Sequence, residues 1–353
     1  MPALPGEVRE EGHAMTMGSR IRRTLLAGLV ATAVVVPVSA AASPKVPAPA
    51  PAAFAASATA QSRYAANLAV MGEASRMAGD AGRTGRAEKL RTMAAAAPGQ
   101  AGGAQFLTFD GRGKGRAIEV LGDLGTADRI AVLVPGSDTT LDTYQRFRDG
   151  ARSLQQRLQR EHPRSAVIAW LGYDTPGTVS TTVLTAARAE EAAAELGPFL
   201  DRLGEMTGAD ARISLLCHSY GSVVCARTRT GPRVSDVVLY GSPGTGIPSA
   251  GRMPTGARVW AGRGSEDWIS GVPHVRFAGL GFGTDPVDPA FGARRFAAGS
   301  AGHSDYLRPG TESLESLARI VIGATGSGSG SGSDDLTGPG PAVPSVRREA
   351  SHA

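Results

Sequence analysis

One stretch constrains this chain more than any other: Ile213-Ser214-Leu215-Leu216-Cys217-His218-Ser219-Tyr220-Gly221-Ser222-Val223-Val224. An apolar run of strand length passes through a single serine into a second apolar run that reads as a helix. A turn this tight strains the backbone at the serine, so the residues beside it must be small where strand and helix approach. Gly221 meets that need on the helix side. On the strand side Cys217 stands where a glycine is expected, and its side chain is small enough to serve. The turn leaves Ser219 at the carboxyl end of a strand and the start of a helix, where backbone N–H groups can meet a negatively charged oxygen. The competing reading is a serine that merely caps a helix; the rest of the chain decides between them.

A hydroxyl needs a base before it can act as a nucleophile, and histidine is the usual one. Of the six histidines, His13 and His352 lie in the chain's ends, His162 closes a helix before Pro163, and His218 adjoins the serine with its side chain directed elsewhere. His274 leaves little room for a separate acid between itself and the serine. His303, in Ala301-Gly302-His303-Ser304-Asp305-Tyr306, lies in a loop before the last helix and is the candidate base. The base must be oriented by a carboxylate. Asp267, in Gly264-Ser265-Glu266-Asp267-Trp268-Ile269, follows a late strand and is the leading candidate; Asp285 and Asp288 compete, although Asp-Pro pairs read as turn formers. For an oxyanion, the backbone N–H of Tyr220 and one from Pro135-Gly136-Ser137-Asp138 are the candidates. Proline lacks an N–H, so Ser137 leads and Asp138 is second.

Around this site, apolar runs alternate with helical patterns. Residues 105–109 and 116–121 form a hairpin; 129–134, 166–170, 212–216, 234–240 and 258–261 are strands; 144–161 and 185–203 are helices. Strands apolar throughout and alternating with helices imply a mainly parallel sheet with helices on both faces. Too few residues separate Tyr240 from Arg258 for a large cap domain, although residues 57–97 or 172–184 are placed to cover the site.

The ends read as accessory. Arg20, Arg22 and Arg23 precede an apolar stretch over 24–38 and a small-residue site at Ser39-Ala40-Ala41-Ala42, the pattern of an export signal over residues 1–42, of the general or twin-arginine type. A membrane anchor is the alternative, but the stretch is short and broken by Pro37. A Pro/Ala linker follows over 43–60. The folded domain spans 61–323, with an N-terminal helical extension over 57–97 that Gly72, Gly79, Gly82 and Gly85 weaken. A Gly/Ser/Pro-rich tail over 324–353 is expected to be disordered. Cys217 and Cys225 would lie on a strand and a helix about 10 Å apart at ordinary packing distance, too far to bridge; both are expected as free thiols. The formal charge of +5 comes from scattered arginines without a nucleic-acid motif, so nucleic acid is not an expected partner. Neither a phosphate loop nor a metal-ligand cluster is present in the sequence, and no cofactor or metal is expected.

From about residue 106 to 322 the chain resembles an actinobacterial α/β-hydrolase family usually described as a domain of unknown function. Val132-Leu133-Val134-Pro135-Gly136, Cys217-His218-Ser219-Tyr220-Gly221-Ser222, Tyr240-Gly241-Ser242-Pro243-Gly244, Asp285-Pro286, Phe291-Gly292-Ala293-Arg294 and Gly302-His303-Ser304-Asp305-Tyr306-Leu307 carry the resemblance. It implies the α/β-hydrolase fold and the pairing of Ser219 with His303, and brings no substrate. The expectation is a secreted, monomeric serine hydrolase with a Ser219–Asp267–His303 triad acting on a small-molecule or lipid-like ester, with no stable membrane span once the signal is cleaved. A peptidase or amidase using the same triad and a non-catalytic binding module are the alternatives.

Overall fold

The computed structural model describes residues 46–55, 57–95, 104–178, 186–272, 274 and 281–324. The expected export signal and the expected tail beyond Ala324 lie outside the described residues, as does part of the linker.

Two helices precede the sheet, α1 (Ala60–Asp80) and α2 (Thr84–Ala94). Thr59 caps α1, its hydroxyl accepting from the Ser62 N–H at 3.2 Å. Gly72 and Gly79 are tolerated inside α1, and Gly82 falls between the two helices. β1 (Phe106–Asp110) and β2 (Arg116–Gly122) then form the antiparallel hairpin. β3 (Arg129–Val134), β4 (Ser165–Leu171), β5 (Arg212–His218), β6 (Val234–Tyr240) and β7 (Arg258–Gly262) follow, and a two-residue β8 (Arg294–Arg295), too short to register as a strand in the sequence, completes the sheet. The spatial order is β1-β2-β4-β3-β5-β6-β7-β8, parallel from β4 to β8 with β2 antiparallel to β4.

Strand periodicity explains the layers. Along β3, Ile130, Val132 and Val134 join a core with residues of α4 (Ala187–Met206) and the short α5 (Tyr220–Cys225). Ala131 and Leu133 project the other way, into a core with α3 (Tyr144–Glu161) and α6 (Glu312–Ile322). Successive side chains of a strand point to opposite faces, and both faces here are covered, so the strands carry no polar alternation. The parallel register aligns strand ends: Val134 faces Cys217, His218 faces Tyr240, and Tyr240 faces Gly262. The loops after β3, β5 and β7 therefore meet at one edge of the sheet, where sites form in parallel sheets of this kind.

The same geometry corrects the expectation for the cysteines. Cys217 and Cys225 are joined in a disulfide, with Cα atoms 6.4 Å apart. The 10 Å expectation applies to a helix packed along a strand. Here α5 has six residues and springs from the turn itself, so its last residue remains within disulfide reach of β5.

Candidate active site

Ser219 occupies the turn between β5 and α5 with φ 51° and ψ −124°. Among the described residues, Ser219 and Asp138 are the non-glycine positions with positive φ, a region a side chain adopts only under constraint. The constraint is visible. The Ser219 N–H donates to the Tyr240 carbonyl at 3.0 Å, and its carbonyl accepts from Ser222 Oγ at 2.6 Å. A Cβ at Gly221 would stand 2.5 Å from the Val134 carbonyl oxygen, so the helix side of the turn must lack a side chain.

The late loop delivers a histidine to this serine. His303 Nε2 lies 3.0 Å from Ser219 Oγ, and His303 Nδ1 lies 2.8 Å from Asp267 Oδ1. The consistent tautomer has Nδ1–H donating to Asp267 and Nε2 accepting from the serine hydroxyl. Asp267, 1% exposed, begins the short 3-10 turn Trp268–Gly271 by accepting from the Ile269 N–H at 2.9 Å. Burial pushes its carboxyl upward, but hydrogen bonds from His303, Tyr306 and the Ile269 N–H outweigh this and hold it below its ordinary value. Glu266 is exposed beside it. Asp285 instead pairs with Arg263, and Asp288 accepts from the Ala290 N–H at 2.8 Å to start a 3-10 turn. Both are turn-forming, as their Asp-Pro context suggests. Trp268, 55% exposed, sets its ring 4.5 Å from that of His303.

The loop after β3 lies directly over the serine. A Cβ at Gly136 would stand 2.7 Å from Ser219 Cβ, so only glycine allows the approach. Of the two candidate N–H groups that follow, Asp138's donates to the Pro176 carbonyl at 3.0 Å, whereas no hydrogen bond from Ser137's N–H is found among the described residues. Ser137 thus keeps its place beside Tyr220 as the candidate pair. Beside them opens a cavity of about 390 Å³ that Gly136, Ser137, Phe147, His218, His303 and Leu307 help to line. No residue of α1 or α2 lines it, so the N-terminal helices do not cover this opening. Among the described residues, no group of three or more His, Cys, Asp or Glu side chains gathers as a metal site, and no helix is long and apolar enough to cross a membrane.

Residues 110–277 match a family described as alpha/beta hydrolase, and the sheet order and turn are of that type. The chain has the α/β-hydrolase fold. The hydrolase match includes Ser219 and Asp267 and stops before His303. The chain is 33% identical over 258 residues to an uncharacterized protein of Mycobacterium tuberculosis, covering 64% of this chain and 39% of that protein. It is 35% identical over 146 residues to an uncharacterized protein of Mycobacterium bovis, covering 38% of this chain and 54% of that one. It therefore spans about two-fifths to one-half of the length of these relatives. Among solved structures, the esterase LipW of Mycobacterium marinum is similar at 15% identity and TM-score 0.41, over 71% of this chain and 89% of that one. An esterase of Pyrobaculum calidifontis is similar at 14% identity and TM-score 0.40, over 69% and 91%.

Three supports of the candidate site escaped the sequence reading. His218, read as directed elsewhere, faces the candidate base: its Nε2–H donates to the His303 carbonyl at 2.7 Å, and the rings lie 4.8 Å apart. Tyr306 Oη donates to Asp267 Oδ2 at 2.6 Å and accepts from the Gly264 N–H at 3.1 Å, binding the acid's loop to the base's loop. The segment after β4 braces the loop over the serine, with Tyr173 Oη donating to the Pro135 carbonyl at 2.7 Å. Each depends on a tertiary return. For Tyr306 the adjacent Gly302-His303 motif could have prompted the search.

Proposed function

We propose that the hydrolase domain is a serine hydrolase that cleaves carboxylic esters through an acyl-enzyme, with Ser219, His303 and Asp267 as its triad. The observation that carries this is the 3.0 Å contact between His303 Nε2 and Ser219 Oγ on a strained strand-to-helix turn. His303 Nε2 takes the hydroxyl proton as Ser219 Oγ attacks the ester carbonyl carbon. The resulting oxyanion is held by the backbone N–H groups of Ser137 and Tyr220. The tetrahedral adduct collapses, His303 returns the proton to the departing alcohol, and an acyl-serine remains. Water then attacks with His303 as base again, releasing the carboxylic acid and restoring the serine hydroxyl. Asp267 holds the tautomer and stabilises the imidazolium.

A fluorophosphonate probe is expected to label Ser219 and not the Ser219→Ala protein, which also loses turnover of 4-nitrophenyl esters. His303→Ala should lose a similar amount, since triad members act as a unit, and Asp267→Asn should fall by orders of magnitude. Full turnover in Ser219→Ala would overturn the reading; labelling with turnover of amides alone would favour the amidase.

The substrate in this proposal is a small-molecule or lipid-like ester, and the enzyme acts as a secreted monomer. The arginine-led apolar start supports export, and the Cys217–Cys225 disulfide suits an oxidising compartment. Mass spectrometry of the culture supernatant should find a mature N-terminus near residues 40–42; recovery of full-length chain in membranes alone would refute export.

A further inference from the structure

We propose that the cavity beside Ser219 is built for substrates bearing an anionic group, recognised by Arg146; this rests on the serine-hydrolase reading. Thr143, Arg146, Phe147 and Gly150 all line the cavity, and their spacing of three, four and seven residues places them on one face of α3. Arg146 is exposed at this face, and among the described residues it has no ion pair and no hydrogen bond.

The neighbouring carboxylates are committed elsewhere. Asp138, which also lines the cavity, accepts from the N–H of Thr178 at 3.1 Å and from its hydroxyl. Asp142 takes a bidentate bond from Arg86, and Asp149 accepts from Gln145 Nε2 at 2.7 Å. Arg146 is thus the cation of this wall, beside the apolar Phe147 and Leu307.

Its position on the helix points the same way. Arg146 lies in the first turn of α3, which holds no acidic residue, and Thr143 supplies no side-chain cap. The positive end of a helix dipole favours an anion and disfavours a cation. A carboxylate or phosphate entering here would be attracted by the guanidinium and by the helix end together. The neutral surfaces of Phe147 and Leu307 would take the carbon chain between that anion and the scissile carbonyl. Arg146 is therefore a specificity-determining residue of this site.

The test compares charged and uncharged ester pairs. On the acyl side these are mono-4-nitrophenyl adipate and 4-nitrophenyl pentanoate; on the leaving side, the butyrate esters of 4-hydroxybenzoic acid and of its methyl ester. In one arm the ratio of kcat/KM, charged over neutral, should be about fivefold, the size of an exposed ion pair supported by a helix terminus. The ratio should shrink in salt, fall in Arg146→Gln to the small share of the helix end, invert in Arg146→Glu and return in Arg146→Lys. Turnover with no charge preference in either arm, or a preference that Arg146→Gln leaves undiminished, would overturn the anion site while leaving the serine-hydrolase reading standing. Calorimetric titration of Ser219→Ala with monomethyl adipate reads the cavity without turnover. Binding there that Arg146→Gln abolishes, in a protein that hydrolyses no ester, would retain the anion site and remove the reading on which its role in catalysis rests; absence of binding together with absence of preference overturns it.

Discussion

His218 is a titratable group whose value lies in staying neutral. Burial first, and then the neighbouring His303, push its pKa down to about 4. Its donated bond to the His303 carbonyl fixes the backbone that presents the candidate base, making it a positioning residue. An unfolded histidine titrates near 6.5. Between about 4 and 6.5 the unfolded chain therefore binds a proton that the native protein refuses, so native stability rises with pH across that window and falls as the solution is acidified through it. Urea midpoints measured from pH 7.5 to 4.5 should drop for the wild type and drop less steeply for His218→Gln; parallel curves would contradict the assignment. Asp267 acts in a separate, lower window. Its folded pKa is depressed, so its contribution is present above the ordinary carboxylate range and is lost as pH falls through the folded value. Tyr306→Phe removes one donor from this buried carboxylate and should cost about 1–3 kcal/mol in denaturant unfolding, together with a fall in kcat.

At the level of elements, α3 is pinned to the sheet by charge. Arg148 projects from α3 to Glu119 on β2 at 2.7 Å, and Tyr144 Oη donates to the same carboxylate at 3.0 Å. All three are buried, and burial raises the Glu119 pKa despite its partners. Removing one partner strands the other, so Arg148→Met should destabilise by about 3–5 kcal/mol, whereas Glu119→Leu with Arg148→Met should cost far less; urea unfolding of the two variants beside the wild type distinguishes these. The disulfide ties α5 to β5 in the same manner. Thiol titration of the denatured, unreduced protein should find no free cysteine, and Cys225→Ser should lose about 2–3 kcal/mol by the loop-entropy argument. Two free thiols would restore the original expectation. That expectation was drawn from average strand-to-helix spacing, an average that the first turn of a helix leaving a tight bend does not obey. By contrast, the central strands were legible because each carries a run of consecutive apolar residues, such as Ile130 to Val134 in β3 and Ala166 to Leu171 in β4. The grouping of Ser219, Asp267 and His303 was legible because serine, acid and histidine arrive in the right order at strand ends.

Across the whole molecule, the least legible features were those made by distant segments meeting: His218 at the end of β5 against the returning loop of His303, Tyr306 between two loops, and the brace from the segment after β4. The N-terminal helices are of this kind too. Asn67 of α1 donates to the carbonyl of Phe106 on the edge strand β1 at 2.9 Å, and Met71, Leu90 and Met93 cover Phe106 and Phe109. A protein truncated to begin at residue 104 should expose this edge and aggregate, as sedimentation would show. A soluble, active truncation would mean that the helices are dispensable. The candidate triad is also the product of distant segments: His303 stands 36 residues from Asp267 and 84 from Ser219 along the chain, in the loop that leads to α6. A nascent chain halted anywhere before residue 303 carries its serine on the turn with no base to waken it. On the serine-hydrolase reading, hydrolysis would therefore wait for the loop of His303 to close on Ser219, so that the first turnover in a refolding experiment serves as a clock for that closure, one that quenching of Trp268 by the arriving imidazole should strike at the same moment.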